Sequence, residues 1–170
     1  AAAFTPDGWF RTGDLGSLDR DGYVSITGRA KEIIVTAGGK NVAPAALEDP
    51  LRGHPLISQV VVVGEKRPFV AALITLDADM LPGWLRGHGL PHMDAASAAR
   101  HPAVLEALQR AVDRTNEQVS RAESIRKFTV VNGDFTEENG LLTPSMKVKR
   151  ADVLERHADV VEGLYANPRG

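Results

Sequence analysis

The chain has 170 residues, 43% of them hydrophobic and 25% charged, which is enough to bury one core of ordinary size. A formal net charge of -2, from 20 basic and 22 acidic residues mixed along the sequence, creates no strong field and argues against nucleic-acid binding. Because the chain has no cysteine, it forms neither a disulfide nor a thiolate metal site.

Signals for export and membrane insertion are absent from the sequence. No apolar run approaches the roughly 20 residues of a membrane-spanning helix, and the first ten residues lack the basic flank and apolar stretch of a signal peptide. A cytoplasmic location is therefore expected, and peripheral attachment of a longer protein to a membrane stays open. The abrupt start without Met indicates a cut through such a longer protein.

Strand and turn signals fill the first 36 residues. Asp-Arg-Asp-Gly at 19–22 separates residues 15–18 from residues 23–27, where polar and β-branched residues alternate, and the whole segment predicts a β-hairpin. Residues 31–36 predict a further short strand, followed by a loop at 37–41 that contains two glycines. Pro44 then fits the first turn of a helix that extends through Leu51.

The centre of the chain predicts a small sheet. Residues 59–63 and 69–76 are rich in β-branched and apolar residues and are expected to pair antiparallel, and residues 125–131 predict another strand. The irregular segment 77–101 is interpreted as a surface insertion with short helical pieces, since it carries Pro82, Gly83, Gly87, Gly89 and Pro91.

Two amphipathic helices complete the pattern. Apolar residues recur at helical spacing between Pro102 and Val119, and a single helix is predicted for residues 150–165. The predicted fold is therefore α+β, with a short β-sheet packed by helices and a β-hairpin in front of it.

Two motifs near the start carry groups suited to a nucleotide. In Thr-Gly-Asp at 12–14, the carboxylate of Asp14 can accept two hydrogen bonds from a ribose diol. Gly28-Arg29 opens the block Gly-Arg-x-Lys-x-x-Ile and adds a planar, permanently charged guanidinium. The structural alternatives are an Asp that caps its own backbone at a turn and an Arg whose charge is simply solvated.

Lys147 lies in the motif Leu-Leu-Thr-Pro-Ser-Met-Lys-Val-Lys-Arg at 141–150, and its flexible ammonium can neutralise charge that develops on phosphate oxygens. The alternative is that Lys147, Lys149 and Arg150 form a solvated basic face. Gly38 and Gly39 can be a flexible loop and no more. His88, His92, His101 and Asp94 match no standard metal spacing and are interpreted as surface residues, so no metal site is expected.

Taken together and in this order, the motifs at 12–14, 28–44 and 141–150 resemble the carboxy-terminal part of adenylate-forming acyl-CoA synthetases, the superfamily that includes firefly luciferase and peptide-synthetase adenylation domains. The resemblance implies that residues 1–30 are the tail of a large amino-terminal domain, the partner of this small one. Residues 31–170 are then a mobile domain, with a hinge at Lys31 and a subfamily insertion at about 77–101.

The resemblance also implies a role for each motif. Asp14 would bind the ribose of ATP, with Arg29 near it at the domain boundary. Lys147 would be the catalytic lysine at the α-phosphate of ATP, and Gly38 and Gly39 would approach the pantetheine arm of coenzyme A. ATP and Mg²⁺ would be bound mainly by the missing domain, so the fragment alone would be inactive.

The last motif departs from the commonest form in the superfamily, Pro-Lys-Thr-x-x-Gly-Lys, because residues 142–147 lack both the earlier lysine and the glycine. It is similar to the long-chain branch, in which Leu-Thr-Pro precedes a Lys-x-Lys-Arg run. This branch implies a ligase that converts a fatty acid, ATP and coenzyme A into acyl-CoA, AMP and pyrophosphate through an acyl-adenylate.

Two other functions stay open. A fatty acyl-AMP ligase or a peptide-synthetase adenylation domain shares the adenylation step but passes the acyl group to a carrier protein. A non-catalytic binding or docking module can share the small α+β fold. The three matched motifs, and Lys147 above all, argue against the non-catalytic module.

Overall fold

A computed structural model describes residues 3–166. Its strands are β1 (Asp14–Leu18), β2 (Val24–Arg29), β3 (Ile34–Val35), β4 (Asn41–Val42), β5 (Ile57–Val63), β6 (Val70–Leu76) and β7 (Ile125–Val130). Its α-helices are α1 (Pro44–Arg52), α2 (Leu81–Gly87), α3 (Ala95–Ala98), α4 (Pro102–Asn116), α5 (Arg150–Arg156) and α6 (Ala158–Tyr165). These elements confirm the predicted α+β class. Within the described residues, no helix combines the length and the apolar content that crossing a bilayer requires.

The main sheet has the strand order β5-β6-β7. β5 and β6 pair antiparallel, as predicted, with Val61 opposite Leu73. β7 pairs with β6 in parallel, with Phe128 opposite Ala72. A parallel pair needs a crossover, and the helices α2 to α4 supply it between the two strands.

Helices and loops cover both faces of the central strands, so β5 and β6 read as continuous apolar runs rather than alternating ones. On one face the strands pack against α1, α2 and α4 in a core that includes Val60, Val62, Ala72, Ile74, Leu47, Leu51 and Leu108. On the other face they pack against α5, α6 and the chain between β7 and α5, in a core that includes Val61, Leu73, Phe135, Leu141, Leu142 and Val153.

The segment 77–101 was interpreted as a surface insertion, and its place in the core corrects that interpretation. It forms α2 and α3, and both helices insert side chains into the core under α4: Leu81 and Leu85 from α2 and Ala98 from α3 are at most 2% exposed. Leu81 and Leu85 are four residues apart and therefore lie on one helix face. Gly89 and Pro91 fall in the break between α2 and α3, but Pro82 and Gly83 lie in the first turn of α2 and hid this short apolar stripe.

The helix predicted from Pro102 is confirmed, although it ends at Asn116 and leaves Val119 outside. The Asn116 side chain then bonds both backbone groups of Ile125, at 2.9 Å and 2.8 Å, and so joins the end of α4 to the start of β7. The single helix predicted for residues 150–165 is wrong. The backbone leaves the helical region at His157 (φ -110°, ψ 27°), and α6 takes a new direction that lets Tyr165 donate its hydroxyl hydrogen bond to backbone carbonyls beside β5 and β6.

The front of the chain forms the predicted hairpin, with β1 and β2 antiparallel and Ser17 opposite Ser25. The Asp19 carboxylate accepts two backbone hydrogen bonds, from Asp21 and Tyr23, both at 2.9 Å, and so fixes the turn. The strand predicted for residues 31–36 is mostly wrong: a 3-10 turn covers Ala30–Glu32, and only Ile34–Val35 is extended, paired with β4.

Large apolar side chains remain exposed on and before the hairpin. Among them are Trp9, Leu18, Tyr23, Val24 and Ile26, each 69–73% exposed. A lone two-stranded hairpin is marginally stable in water because it has no apolar surface to cover one of its faces. The hairpin therefore lacks the packing that stabilises the main sheet.

We predict that amide hydrogen exchange separates these two parts of the chain. Amides in β5, β6 and α4 should exchange slowly, since their opening requires unfolding of the two cores. Amides in β1 and β2 should exchange much faster, because little apolar surface is lost when the hairpin opens. Exchange followed by mass spectrometry on the same sample compares the two directly. Equal protection of β2 and β6 would contradict this account.

Candidate functional site

Lys147 is located on a tight loop whose two ends meet. Leu142 and Val148 form an antiparallel bridge, and the backbone N–H of Thr143 donates to the Lys147 carbonyl at 2.8 Å. The Thr143 hydroxyl accepts the Lys147 N–H at 3.1 Å, and Met146 takes a left-handed conformation with φ 62° that closes the turn. The loop is thus well ordered at its backbone, while the Lys147 side chain stays exposed.

The base of this loop is anchored in the core. Leu141 and Leu142 are each 2% exposed and pack beneath the sheet, and the N–H of Lys149 donates to the Leu141 carbonyl at 2.9 Å. A flexible ammonium therefore projects from a fixed platform. This arrangement suits a cation that must reach an anion at a defined place without a rigid side chain.

Asp14 and Arg29 face each other across the hairpin. They are register partners in β1 and β2, and the Arg29 Nε lies 2.7 Å from the Asp14 Oδ1. Asp14 is the first residue of β1, and its backbone N–H donates to the Thr12 hydroxyl at 3.1 Å. The structure thus brings together Asp14 and Arg29, which belong to separate sequence motifs.

A groove of about 1400 Å³ connects the end of the hairpin to the Lys147 loop. Arg29 and Lys31 lie on its wall together with Lys147, and part of β5 and its following turn form its floor. Asp14 adjoins this groove only through its ion pair with Arg29. The structure therefore brings Arg29, Lys31 and Lys147 to one surface.

Gly38 and Gly39 are outside the lining of that groove and lie in the β3–β4 turn. Gly39 has φ +77°, and its N–H donates to the Thr36 carbonyl at 2.9 Å. A Cβ added at Gly38 would meet only the Thr36 hydroxyl, at 3.9 Å, which is ordinary contact. Packing within the described chain therefore does not require a glycine at position 38.

The neighbouring Lys40 is half-buried, and its ammonium lies 3.6 Å from the Glu123 carboxylate. A hydrogen bond from Ser120 holds the pKa of Glu123 below its usual range, and the positive charge of Lys40 lowers that pKa further. This ion pair ties the glycine turn to the chain that follows α4.

Arg150 has a different environment from the solvated basic face considered above. Its guanidinium donates to the Val62 carbonyl and to the Glu48 carboxylate, both at 2.6 Å. Glu48 is only 5% exposed and also accepts the Val62 N–H at 2.8 Å. Sequence analysis missed this pair, although Glu48 follows Leu47 and precedes Leu51 on the buried side of α1, where an acidic residue needs a partner.

The three basic residues of the motif at 141–150 thus differ in their surroundings. Arg150 is bonded to the buried Glu48, and the Lys149 ammonium is 3.9 Å from the Asp152 carboxylate on the surface of α5. Among residues 3–166, no carboxylate oxygen lies within 4.0 Å of the Lys147 ammonium. Its charge is therefore available to an anion that enters the groove.

Metal binding finds no support around this groove. Of the carboxylates that line the groove, Glu48, Asp49 and Glu162 are paired with arginines, and Asp14 beside it is paired with Arg29. Between residues 3 and 166, no three His, Cys, Asp or Glu residues are grouped so that they could hold a metal ion. The residues present do not fit a Mg²⁺ site.

Comparison with known proteins identifies the family. The AMP-binding enzyme C-terminal domain family matches residues 31–169. The long-chain-fatty-acid–CoA ligase FadD15 of Mycobacterium tuberculosis is 56% identical over 164 residues, 96% of this chain and 27% of that protein. The long-chain-fatty-acid–CoA ligase ACSBG2 of Gallus gallus is 36% identical over 97% of this chain and 24% of that protein.

A solved structure shares the fold as well. The adenylation and carrier (A-PCP) didomain of the carboxylic acid reductase from Segniliparus rugosus, in complex with AMP, superposes with a TM-score of 0.70 and 27% identity, over 96% of this chain and 21% of that one. The chain thus spans about a quarter of the length of the relatives it matches. The family match covers residues 31–169, which include the motif at 141–150, so this chain belongs to the AMP-binding enzyme C-terminal domain family.

Proposed function

We propose that the chain acts as the carboxy-terminal part of an ATP-dependent long-chain fatty-acid CoA ligase, in which a large amino-terminal domain is its partner. The substrates are a fatty acid, ATP and coenzyme A, and the products are acyl-CoA, AMP and pyrophosphate. The 56% identity to a protein named as such a ligase supports this class of reaction. The observation that carries the proposal is the ammonium of Lys147, held on an anchored loop in one groove with Arg29.

In the first half-reaction, the fatty-acid carboxylate attacks the α-phosphate of ATP and releases pyrophosphate. Negative charge then develops on the non-bridging oxygens, and Lys147 neutralises it as a mobile point charge. Asp14 accepts hydrogen bonds from the ribose hydroxyls, while Arg29 holds the Asp14 carboxylate in place through their ion pair. ATP and Mg²⁺ are bound mainly by the rest of the enzyme.

In the second half-reaction, residues 31–170 rotate as a mobile domain about Lys31 and present Gly38 and Gly39 to coenzyme A. The 3-10 turn around Lys31 contains no buried residue, and the residues on either side of the turn, Arg29 and Ile33, are extended. A change of backbone dihedral angles there would leave both cores intact. Because the glycine turn lies outside the Lys147 groove, one orientation cannot serve both steps.

A second candidate function transfers the acyl group to a carrier protein instead of coenzyme A. The likeness to the adenylation and carrier didomain of a carboxylic acid reductase favours this alternative. The two acceptors are separated by giving the longer enzyme a fatty acid, ATP and free coenzyme A. Formation of acyl-CoA supports the ligase, whereas accumulation of acyl-adenylate without thioester would overturn it.

Lys147→Ala in the longer enzyme should slow adenylate formation by about 10²-fold or more, since a charge aimed at the transition state is lost. Thioester formation from supplied acyl-adenylate should persist. Isotope exchange between pyrophosphate and ATP measures the first step, and single-turnover acyl-CoA formation measures the second. Lys149→Ala is the matched control, because it removes a neighbouring lysine that is paired on the surface with Asp152. Equal loss in both steps would contradict the two-face mechanism.

Lys31→Pro should impair one half-reaction and leave the other nearly intact. The pyrrolidine ring fixes φ near -65° and so restricts the dihedral change that rotation needs. Lys31→Ala, which removes the side chain but not the backbone freedom, serves as control and should keep overall turnover. If Lys31→Pro turns over at the normal rate, the hinge lies elsewhere.

Gly38→Leu should slow thioester formation by about 10-fold or more while adenylation continues, because the added side chain would extend toward the pantetheine arm. The free energy of unfolding should change by only about 0.5 kcal/mol, since position 38 has open space around it. Gly39→Ala is the comparison: it strains a backbone with φ +77° and should cost about 1 kcal/mol. Normal thioester formation by Gly38→Leu would remove Gly38 from the site.

A further inference from the structure

β5 is an edge strand of the main sheet, and side chains bind the backbone groups of that edge. The N–H of Val62 donates to Glu48, the Val62 carbonyl accepts from Arg150, and the Val60 carbonyl accepts from Arg52 at 3.4 Å. An edge strand ordinarily leaves such groups open to another strand or to water. Here an acid from α1 and a base from α5 take the place of a neighbouring strand.

A contribution to the stability of the fold is a weak explanation for the ion pair between Glu48 and Arg150. Glu48 is almost fully buried, and removing a carboxylate from water is costly before any partner offsets the loss of hydration. Apolar residues of similar size often stabilise such a site as well as an ion pair does. Unlike apolar contacts, this ion pair is directional. The planar Arg150 guanidinium fixes both the distance and the direction of Arg150 relative to Val62 and Glu48.

The position of Arg150 in the sequence indicates which segment the Glu48–Arg150 ion pair holds in place. Arg150 comes three residues after Lys147. The two are connected by Val148 and Lys149, which belong to the base of the Lys147 loop. The first strand of that loop is held by the buried Leu141 and Leu142. Arg150 is the anchor on the other side, and it joins the loop to β5 and α1 at the floor of the groove.

We propose that Glu48 and Arg150 are positioning residues for Lys147. Their ion pair holds the Lys147 loop in a fixed position beside the groove, so that the Lys147 ammonium reaches the α-phosphate of ATP. This inference rests on the proposed function of Lys147. Neither residue needs to touch the substrate. Loss of the pair lets the loop shift, and a shift of about 1 Å in a group that acts in the transition state can cost up to about 10²-fold in rate.

The test uses Glu48→Gln in the longer enzyme. Gln keeps a side-chain oxygen for the Val62 N–H but removes the charge that orients Arg150. The kcat for adenylation should fall about 10-fold, while KM for ATP stays within about 2-fold, as expected for an interaction that matters only in the transition state. Thioester formation from supplied acyl-adenylate should be unchanged. Arg150→Lys, which cannot bond Val62 and Glu48 with one planar fork, should show the same pattern.

A double variant distinguishes positioning from general damage. Glu48→Gln combined with Lys147→Ala should be no slower in adenylation than Lys147→Ala alone, because the pair acts only through the lysine. Val112→Ala in α4 is the control for lost stability, since Val112 is 1% exposed in the core and belongs to a different element from Glu48 and Arg150. It should keep nearly normal kcat. Additive losses in the double variant, or an equal loss in Val112→Ala, would overturn the proposal.

Hydrogen exchange of this 170-residue chain gives a readout that does not depend on catalysis. The Lys147 N–H, bonded to the Thr143 hydroxyl, should exchange at least about 10-fold faster in Glu48→Gln than in Val112→Ala. Unchanged exchange at Lys147 would overturn the positioning role. If exchange rises but Lys147→Ala leaves adenylation intact, the proposed function of Lys147 fails and positioning for catalysis fails with it, while the anchoring of the loop stands.

Discussion

The burial of β5 and β6 on both faces is the constraint on which the rest of this structure depends. Side chains of adjacent residues point to opposite faces of a strand, so Val61 and Val62 belong to different cores although they are neighbours. Helices must therefore cover both faces. One layer contains α1 and α4, and the other contains α5, α6 and the base of the Lys147 loop.

This arrangement separates the two surfaces that we propose to act in turn, namely the Lys147 loop and the turn that contains Gly38 and Gly39. The Lys147 loop belongs to the layer under one face and reaches the groove beside the edge strand β5. The glycine turn precedes α1 and is tied to the chain after α4 through Lys40 and Glu123. Each surface is fixed by its own contacts, so the small domain can present either one as a rigid unit.

Local patterns in the sequence predicted much of this fold. The hairpin turn at 19–22, the start of α1 at Pro44 and the apolar stripe of α4 depend on nearby residues, and all were found. The break at His157 was missed because apolar spacing continues across it. Glu48 and Arg150 were missed for a different reason: the place of Glu48 on the buried side of α1 indicates that it needs a partner, but only the tertiary fold makes that partner Arg150. Such contacts leave no periodic signal.

The same pair has a consequence for the time course of folding. Glu48 and Arg150 are separated by 102 positions, so their contact closes a very long loop and adds to the contact order of the chain. Helix α1 and the β5–β6 hairpin can form from nearby residues while α5 is still unplaced. We therefore expect the loop that carries Lys147 to reach its final position late in folding, after β5 and β6 have paired.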